Sequence, residues 1–301
     1  MSQFGPYPPE DLDEFWLEIA NDSQHVPLDM SRSFRSTYEL DGFIVETISF
    51  RGSFGTDLHG WLAYPDGARR LPGFVWIPPY GRESLLPNMY AVRDGYVSLS
   101  LNLHGLPAFH QEKYTVSRGY FAQGVEDPTS WIFREMTINT MVAVRLLATL
   151  SEVNEERIGA MGMSQGGGMA MWLGAFCPQV KAVCADMPFL GAMNQILNRT
   201  AYRYPLKELV DWAEARTLGM EVVQNTVSYF DTINLATRCT VPTQISMGLK
   251  DPACRPEVVE SVYENLAAEK KRLLTYDWGH DWHPDMVHNN RQWFEEHLVE
   301  D

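Results

Sequence analysis

The sequence contains no run of about 18 apolar residues, the length a membrane-spanning helix needs, so no membrane partner is expected. Its first ten residues have neither a basic region nor an apolar core of the secretory type. A soluble, cytoplasmic protein is the resulting expectation. Cysteine is scarce: four residues, Cys177, Cys184, Cys239 and Cys254, with no Cys-x-x-Cys spacing, which argues against a metal cluster. Cys177 and Cys184 fall in apolar surroundings, the ordinary place for buried free thiols. Positive charge is also short. There are 24 Lys and Arg against 39 Asp and Glu, a formal net charge of −15, which disfavours nucleic acid and anionic membranes as partners. Neutral or cationic small substrates suit that charge, and so does plain solubility. Internal repeats and low-complexity tracts are absent.

What is present is enough for a full core. Of 301 residues, 45% are hydrophobic, which excludes global disorder and fits a single α/β domain over 1–301. Pro9-Glu10-Asp11 followed by Leu12, Phe15, Trp16 and Ile19 predicts an amphipathic helix over 9–20. Residues 33–65 predict antiparallel strands, with segments at 43–50 and 58–64 joined by a turn around Gly52 to Gly55 and closed by the turn Pro65-Asp66-Gly67. Short apolar strands then alternate with helices, the pattern of a mostly parallel sheet with helices on both faces. The expected strands are 73–77, 97–103, 158–161, 181–185, 243–247 and 272–276, and the expected helices 130–150, 165–176, 256–269 and 285–298. Residues 187–238 are longer than a crossover needs and hold an amphipathic helix at 206–216, which predicts a helical insertion capping the sheet edge.

The most informative stretch is Gly162-Met163-Ser164-Gln165-Gly166, between an apolar strand and an apolar helix. A serine on such a turn is held in a strained backbone that lifts its hydroxyl clear of the sheet. The alternative is a glycine-rich turn whose serine caps the helix. A nucleophilic serine needs a base and an acid to orient that base, and in open parallel sheets these sit past the C-terminal ends of strands. Asp186 and Asp251 both qualify as the acid. Asp251 is preferred, because Gly248 and Pro252 frame a loop able to turn its carboxylate back, whereas Asp186 reads as a cap opening the insertion. Of eight histidines, His280 follows the last strand directly, with Gly279 bending the loop. His283, His288 and His297 lie on or before the final helix, and His25, His59 and His110 in early loops or strands. The pair His280 and His283 also permits a metal reading, but no third ligand stands nearby and none is expected.

An oxyanion hole would combine the backbone N–H of Gln165 with one from Pro78-Pro79-Tyr80-Gly81-Arg82. Proline has no N–H to donate. The donor is therefore Tyr80 or Gly81, with Tyr80 preferred, although Tyr80 would serve equally as a pocket wall.

With these residues in place the chain resembles the acetyl xylan esterase/cephalosporin C deacetylase family (carbohydrate esterase family 7), within the α/β-hydrolase fold. The resemblance rests on Pro8-Pro9-Glu10-Asp11-Leu12-Asp13-Glu14-Phe15-Trp16, Gly60-Trp61-Leu62, Ser164-Gln165-Gly166-Gly167-Gly168, Asp186-Met187-Pro188-Phe189-Leu190, Ser228-Tyr229-Phe230-Asp231 and Gly248-Leu249-Lys250-Asp251. It implies a serine esterase without metal or cofactor that removes acetyl groups from small substrates such as acetylated xylo-oligosaccharides, assembled as a hexamer. It also implies Ser164, Asp251 and His280 as the triad and Tyr80 and Gln165 as oxyanion donors. The chain departs from the family at His104-Gly105-Leu106, where Arg-Gly-Gln is usual, and at His280-Asp281, where His-Glu is usual. Rival expectations are a longer-chain carboxylesterase or a peptidase on the same fold, or a non-catalytic binding protein.

Overall fold

Neighbouring side chains on the central strands are buried on opposite faces, and this fixes the layering. On β4 (Leu71–Ile77), Phe74 and Trp76 pack against one layer of helix while Val75 and Ile77 pack against another. A computed structural model describes residues 3–34, 38–80, 90–103, 120–197 and 203–299. The described strands are β1 (Met30–Phe34), β2 (Phe43–Arg51), β3 (Asp57–Pro65), β4, β5 (Val97–Asn102), β6 (Val153–Met163), β7 (Val180–Asp186), β8 (Thr243–Gly248) and β9 (Lys271–Tyr276). They form one nine-stranded sheet in the order β1-β2-β3-β5-β4-β6-β7-β8-β9. The pairs from β5 through β9 are parallel, and β1, β2 and β3 add an antiparallel end.

Helices α1 (Leu12–His25), α2 (Ile132–Ala148), α3 (Gln165–Phe176) and α8 (Pro256–Glu264) bury their apolar stripes in the larger core, with Val75, Ile77, Ala160, Val183 and Ile245. On the other face, α9 (Pro284–Leu298) sets Trp293, Phe294 and Leu298 against Phe74, Trp76, Met161, Ala182 and Cys184. Between β7 and β8 come α4 (Met193–Ile196), α5 (Leu206–Glu214), α6 (Gly219–Ser228) and α7 (Thr232–Ala236), the helical insertion.

Register decides where loops gather. Ile77 lies opposite Gly162, Met163 opposite Asp186, Asp186 opposite Ser246, and Gly248 opposite Tyr276. The strand ends of β4, β6, β7, β8 and β9 therefore form one row. The loops that follow them carry Tyr80, Ser164, Asp251 and His280.

Several element bounds differ from expectation. The first helix runs to His25, because Arg145 donates to the carbonyls of Ser23 and Val26 and so satisfies its last turn. β6 begins at Val153 through a polar, irregular start that pairs with Leu71. β1 is a short polar edge strand without an apolar run to announce it. The helix after β8 stops at Glu264, where Asn265 donates a backbone and a side-chain hydrogen bond to the Ser261 carbonyl.

The junction of β6 and α3 tolerates no side chain at two glycines. A Cβ on Gly166 would lie 2.0 Å from the Ile77 carbonyl oxygen, and one on Gly162 would lie 2.4 Å from the Gly166 carbonyl carbon. Both obstacles are backbone and cannot swing aside. Gly166→Ala is therefore expected to destabilise the protein by roughly 3 kcal/mol or more. The midpoint of urea unfolding measures this, and an unchanged midpoint would contradict so close an approach.

Candidate active site

Ser164 stands between β6 and α3 with φ 56° and ψ −119°, a backbone conformation that a non-glycine residue adopts only under constraint. Its own main chain supplies the constraint. The Ser164 N–H donates to the Asp186 carbonyl at 2.9 Å, and its carbonyl accepts from Gly168 at 3.0 Å and Phe189 at 2.9 Å. Held this way, Ser164 has its side chain directed at the loop after β9. Its Oγ lies 3.0 Å from His280 Nε2.

The other ring nitrogen of His280, Nδ1, lies 2.7 Å from Asp251 Oδ2. Asp251 Oδ1 accepts from the N–H groups of Ala253 and Cys254 at 2.7 and 2.9 Å, so the loop past Pro252 aims the carboxyl group. The β8 and β9 loops are laced together. Leu249 N–H donates to the Tyr276 carbonyl at 2.8 Å and Lys250 N–H to the Trp278 carbonyl at 2.9 Å. The spacing between acid and imidazole is thus set by backbone. Beyond His280, Trp282 packs on Trp76 and Tyr90 with ring centroids 5.6 and 4.8 Å away.

Asp186 takes a different place from the cap expected of it. It shares the pleat side of Ala182 and Cys184, which sends its carboxyl group under α9. There it accepts from Ser246 Oγ at 2.6 Å and Asn290 Nδ2 at 2.7 Å, and burial pushes its carboxyl up. His283 accepts at Nδ1 from the Asp285 N–H, capping α9, and its ring stacks on Tyr276 at 4.3 Å. His25 ends α1, His59 is in β3, and His288 and His297 lie along α9. His104, Gly105, Leu106 and His110, with Gly81 and Arg82, lie outside the described residues.

Tyr80 comes just past β4, and Gln165 is the first residue of α3. The Tyr80 hydroxyl donates to Glu208 Oε1 at 2.8 Å, and its ring stacks on Tyr120 at 5.2 Å. The Tyr120 hydroxyl in turn donates to Gln165 Oε1 at 2.9 Å. Tyr120 and Glu208 are unforeseen. One comes from a short 3-10 turn and the other is an acid on a helix whose pattern marks only amphipathicity.

Cys254 is a third unforeseen neighbour. Its Sγ, an Asp251 oxygen and a His280 nitrogen all lie within 4.8 Å of one another, the one such group of potential metal ligands among the described residues. Burial, followed by the Asp251 charge, pushes the Cys254 thiol well above its ordinary range.

A family model described as "Acetyl xylan esterase (AXE1)" matches residues 5–298. The chain belongs to the acetyl xylan esterase family. A solved acetyl xylan esterase from Paenibacillus sp. R4 superposes with a TM-score of 0.88 at 25% identity, covering 98% of this chain and 97% of that one. Acetyl xylan esterase 1 from Thermoanaerobacterium sp. JW/SL YS485 superposes with a TM-score of 0.85 at 24% identity, covering 99% and 96%. The acetyl esterase Axe7A of Xylanibacter ruminicola is 25% identical over 279 residues, 89% of this chain. The chain spans 62% of the length of that curated relative. The fold is that of the α/β-hydrolases.

All four cysteines are free and buried. Burial raises the Cys177 thiol to about 12 and Cys239 to about 11, and it lifts Cys184 and Cys254 well above the ordinary value. A protonated, enclosed thiol is a poor nucleophile. The native protein is therefore expected to leave Ellman's reagent unreacted, with all four cysteines titrating after unfolding in guanidinium. Rapid reaction of any thiol in the native protein would contradict this.

Proposed function

We propose that this member of the family is a serine carboxylesterase that removes acetyl groups from small esters through an acyl-enzyme on Ser164. The observation that carries the proposal is the hydrogen-bonded chain from Ser164 Oγ to His280 at 3.0 Å and on to Asp251 at 2.7 Å. With the Nδ1–H of His280 given to Asp251, Nε2 is left to accept the serine proton. Membership of the acetyl xylan esterase family supports acetyl as the acyl group; acetylated xylo-oligosaccharides or cephalosporin C are the substrates we propose.

The reaction divides into two displacements. Ser164 Oγ bonds to the ester carbonyl carbon as its proton passes to His280 Nε2. The carbonyl π electrons move onto oxygen, and the N–H groups of Tyr80 and Gln165 receive that oxyanion. The bond to the leaving alcohol then breaks, and His280 returns the proton to the departing oxygen. Water attacks the acetyl-serine in the same way, releasing acetate and restoring the hydroxyl. Asp251 keeps the imidazole in the required tautomer and stabilises it when protonated. The first N–H groups of α3 add the positive end of a helix dipole to the same spot.

Ser164→Ala is expected to lower turnover of p-nitrophenyl acetate by about 10⁶-fold if the triad acts as a unit. Unchanged turnover would overturn the serine mechanism. In an acyl series from acetate to octanoate, the parent enzyme is expected to be fastest on acetate, and acetylated xylose and cephalosporin C should be hydrolysed. A maximum beyond butyrate would favour the longer-chain carboxylesterase reading instead.

A further inference from the structure

The two residues given the oxyanion role above have their side chains tied into one ring of contacts, closed by an acid from the insertion. Glu208, on α5, is only 7% exposed. Its Oε1 accepts from the Tyr80 hydroxyl at 2.8 Å and its Oε2 from the Phe121 N–H at 2.9 Å. Tyr80 lies face to face with Tyr120, with an interplanar angle of 18°. Tyr120 adjoins Phe121 in the chain and donates its hydroxyl to Gln165 Oε1 at 2.9 Å. Phe121 is fully buried and sets its ring edge-on to Tyr80, 5.9 Å away. The path from Tyr80 to Gln165 thus runs through Tyr120, and Glu208 grips it at the Tyr80 hydroxyl and at the main chain of Phe121, the residue after Tyr120.

We infer that Glu208 is a positioning residue that holds the main chain of Tyr80 at the distance from Gln165 which a developing oxyanion requires, coupling the helical insertion to the reaction. The inference rests on the esterase mechanism proposed above. Three features favour this over a merely structural carboxyl group. One of its oxygens is engaged by the side chain of Tyr80 and the other by the main chain of Phe121, whose ring lies against Tyr80, and neither by its own helix. The residues it grips come from two separate loops, after β4 and before α2. Their side-chain contacts end on the residue that follows Ser164. Small displacements of an oxyanion donor weaken the transition state far more than the bound substrate.

The chemistry of the two oxygens distinguishes the informative substitutions. Glu208→Ala removes both acceptors and leaves the Phe121 N–H and Tyr80 hydroxyl without them. Glu208→Gln keeps an acceptor for the Phe121 N–H and offers an NH₂ to the Tyr80 oxygen, so it preserves the ring of contacts. Tyr80→Phe retains the backbone N–H and removes only the hydroxyl.

The test is steady-state hydrolysis of p-nitrophenyl acetate by these variants, alongside inhibition by a trifluoromethyl ketone whose hemiketal oxyanion occupies the same hole. Glu208→Ala is expected to lower kcat roughly 10- to 100-fold with KM within about twofold, and to weaken the ketone by a similar factor. Glu208→Gln should recover most of the loss, and Tyr80→Phe combined with Glu208→Ala should be no worse than Glu208→Ala alone. Asp211→Ala, on the exposed face of the same helix, serves as the control that leaves kcat at the parent value. If Glu208→Ala does not fold, Tyr80→Phe carries the test, with a kcat loss matched by weaker ketone binding expected. A kcat within about twofold of the parent, a loss confined to KM, or ketone affinity that does not follow kcat would overturn the inference. Failure of the underlying mechanism reads differently, as undiminished activity in Ser164→Ala.

Discussion

The contact on which the site depends is the approach of Gly166 to the carbonyl of Ile77, where a Cβ would come within 2.0 Å of that oxygen. It presses the first turn of α3 onto the end of β4. Two consequences follow from one piece of packing. Ser164, caught between β6 and α3, is forced to φ 56°, and the loop bearing Tyr80 leaves the sheet beside the helix N-terminus. The direction of the serine hydroxyl therefore derives from main-chain sterics. Side-chain rotamers have little part in it. Strain of this kind persists only where its surroundings over-determine it, and the three main-chain hydrogen bonds of Ser164 do so.

Around that contact the remaining groups are placed by backbone as well. The loop after β8 donates main-chain hydrogen bonds to the carbonyls of Tyr276 and Trp278 before either side chain reaches out. Asp251 is aimed by two N–H groups, and the His280 loop is flanked by the packing of Trp282 on Trp76 and the stacking of His283 on Tyr276. The insertion enters through different physics: a buried carboxyl group bridging two loops from outside the sheet. Its effect on the reaction is therefore separable from that of the strand ends, because a substitution in α5 leaves the strand register untouched.

What could be read from sequence follows the range of each interaction. The strand–turn–helix around Ser164 is local, so Gly162 and Gly166 announce it within a few residues. The parallel strands show as apolar runs because both their faces are covered. The direction of Asp186 depends on pleat parity and on α9, whose Asn290 is 104 residues away, so the local sequence, a residue ending a strand, reads as a cap instead. The link from Tyr80 to Glu208 spans 128 residues and that from Tyr120 to Gln165 spans 45, and no periodicity encodes either. The start of β1 is illegible for the opposite reason: a polar edge strand has only one neighbour, and its Ser and Arg residues carry no burial signal, so the antiparallel reading from residue 33 reaches only its end.

The central claim is that the Ser164 oxygen carries the acyl group during turnover. Rapid acid quenching of the enzyme with p-nitrophenyl acetate, followed by peptide mass spectrometry, measures this directly. One acetyl group on the peptide containing Ser164, formed within a single turnover and lost on the timescale of kcat, is the expected result. Turnover with no covalent adduct, or with the acetyl group on another side chain, would contradict it.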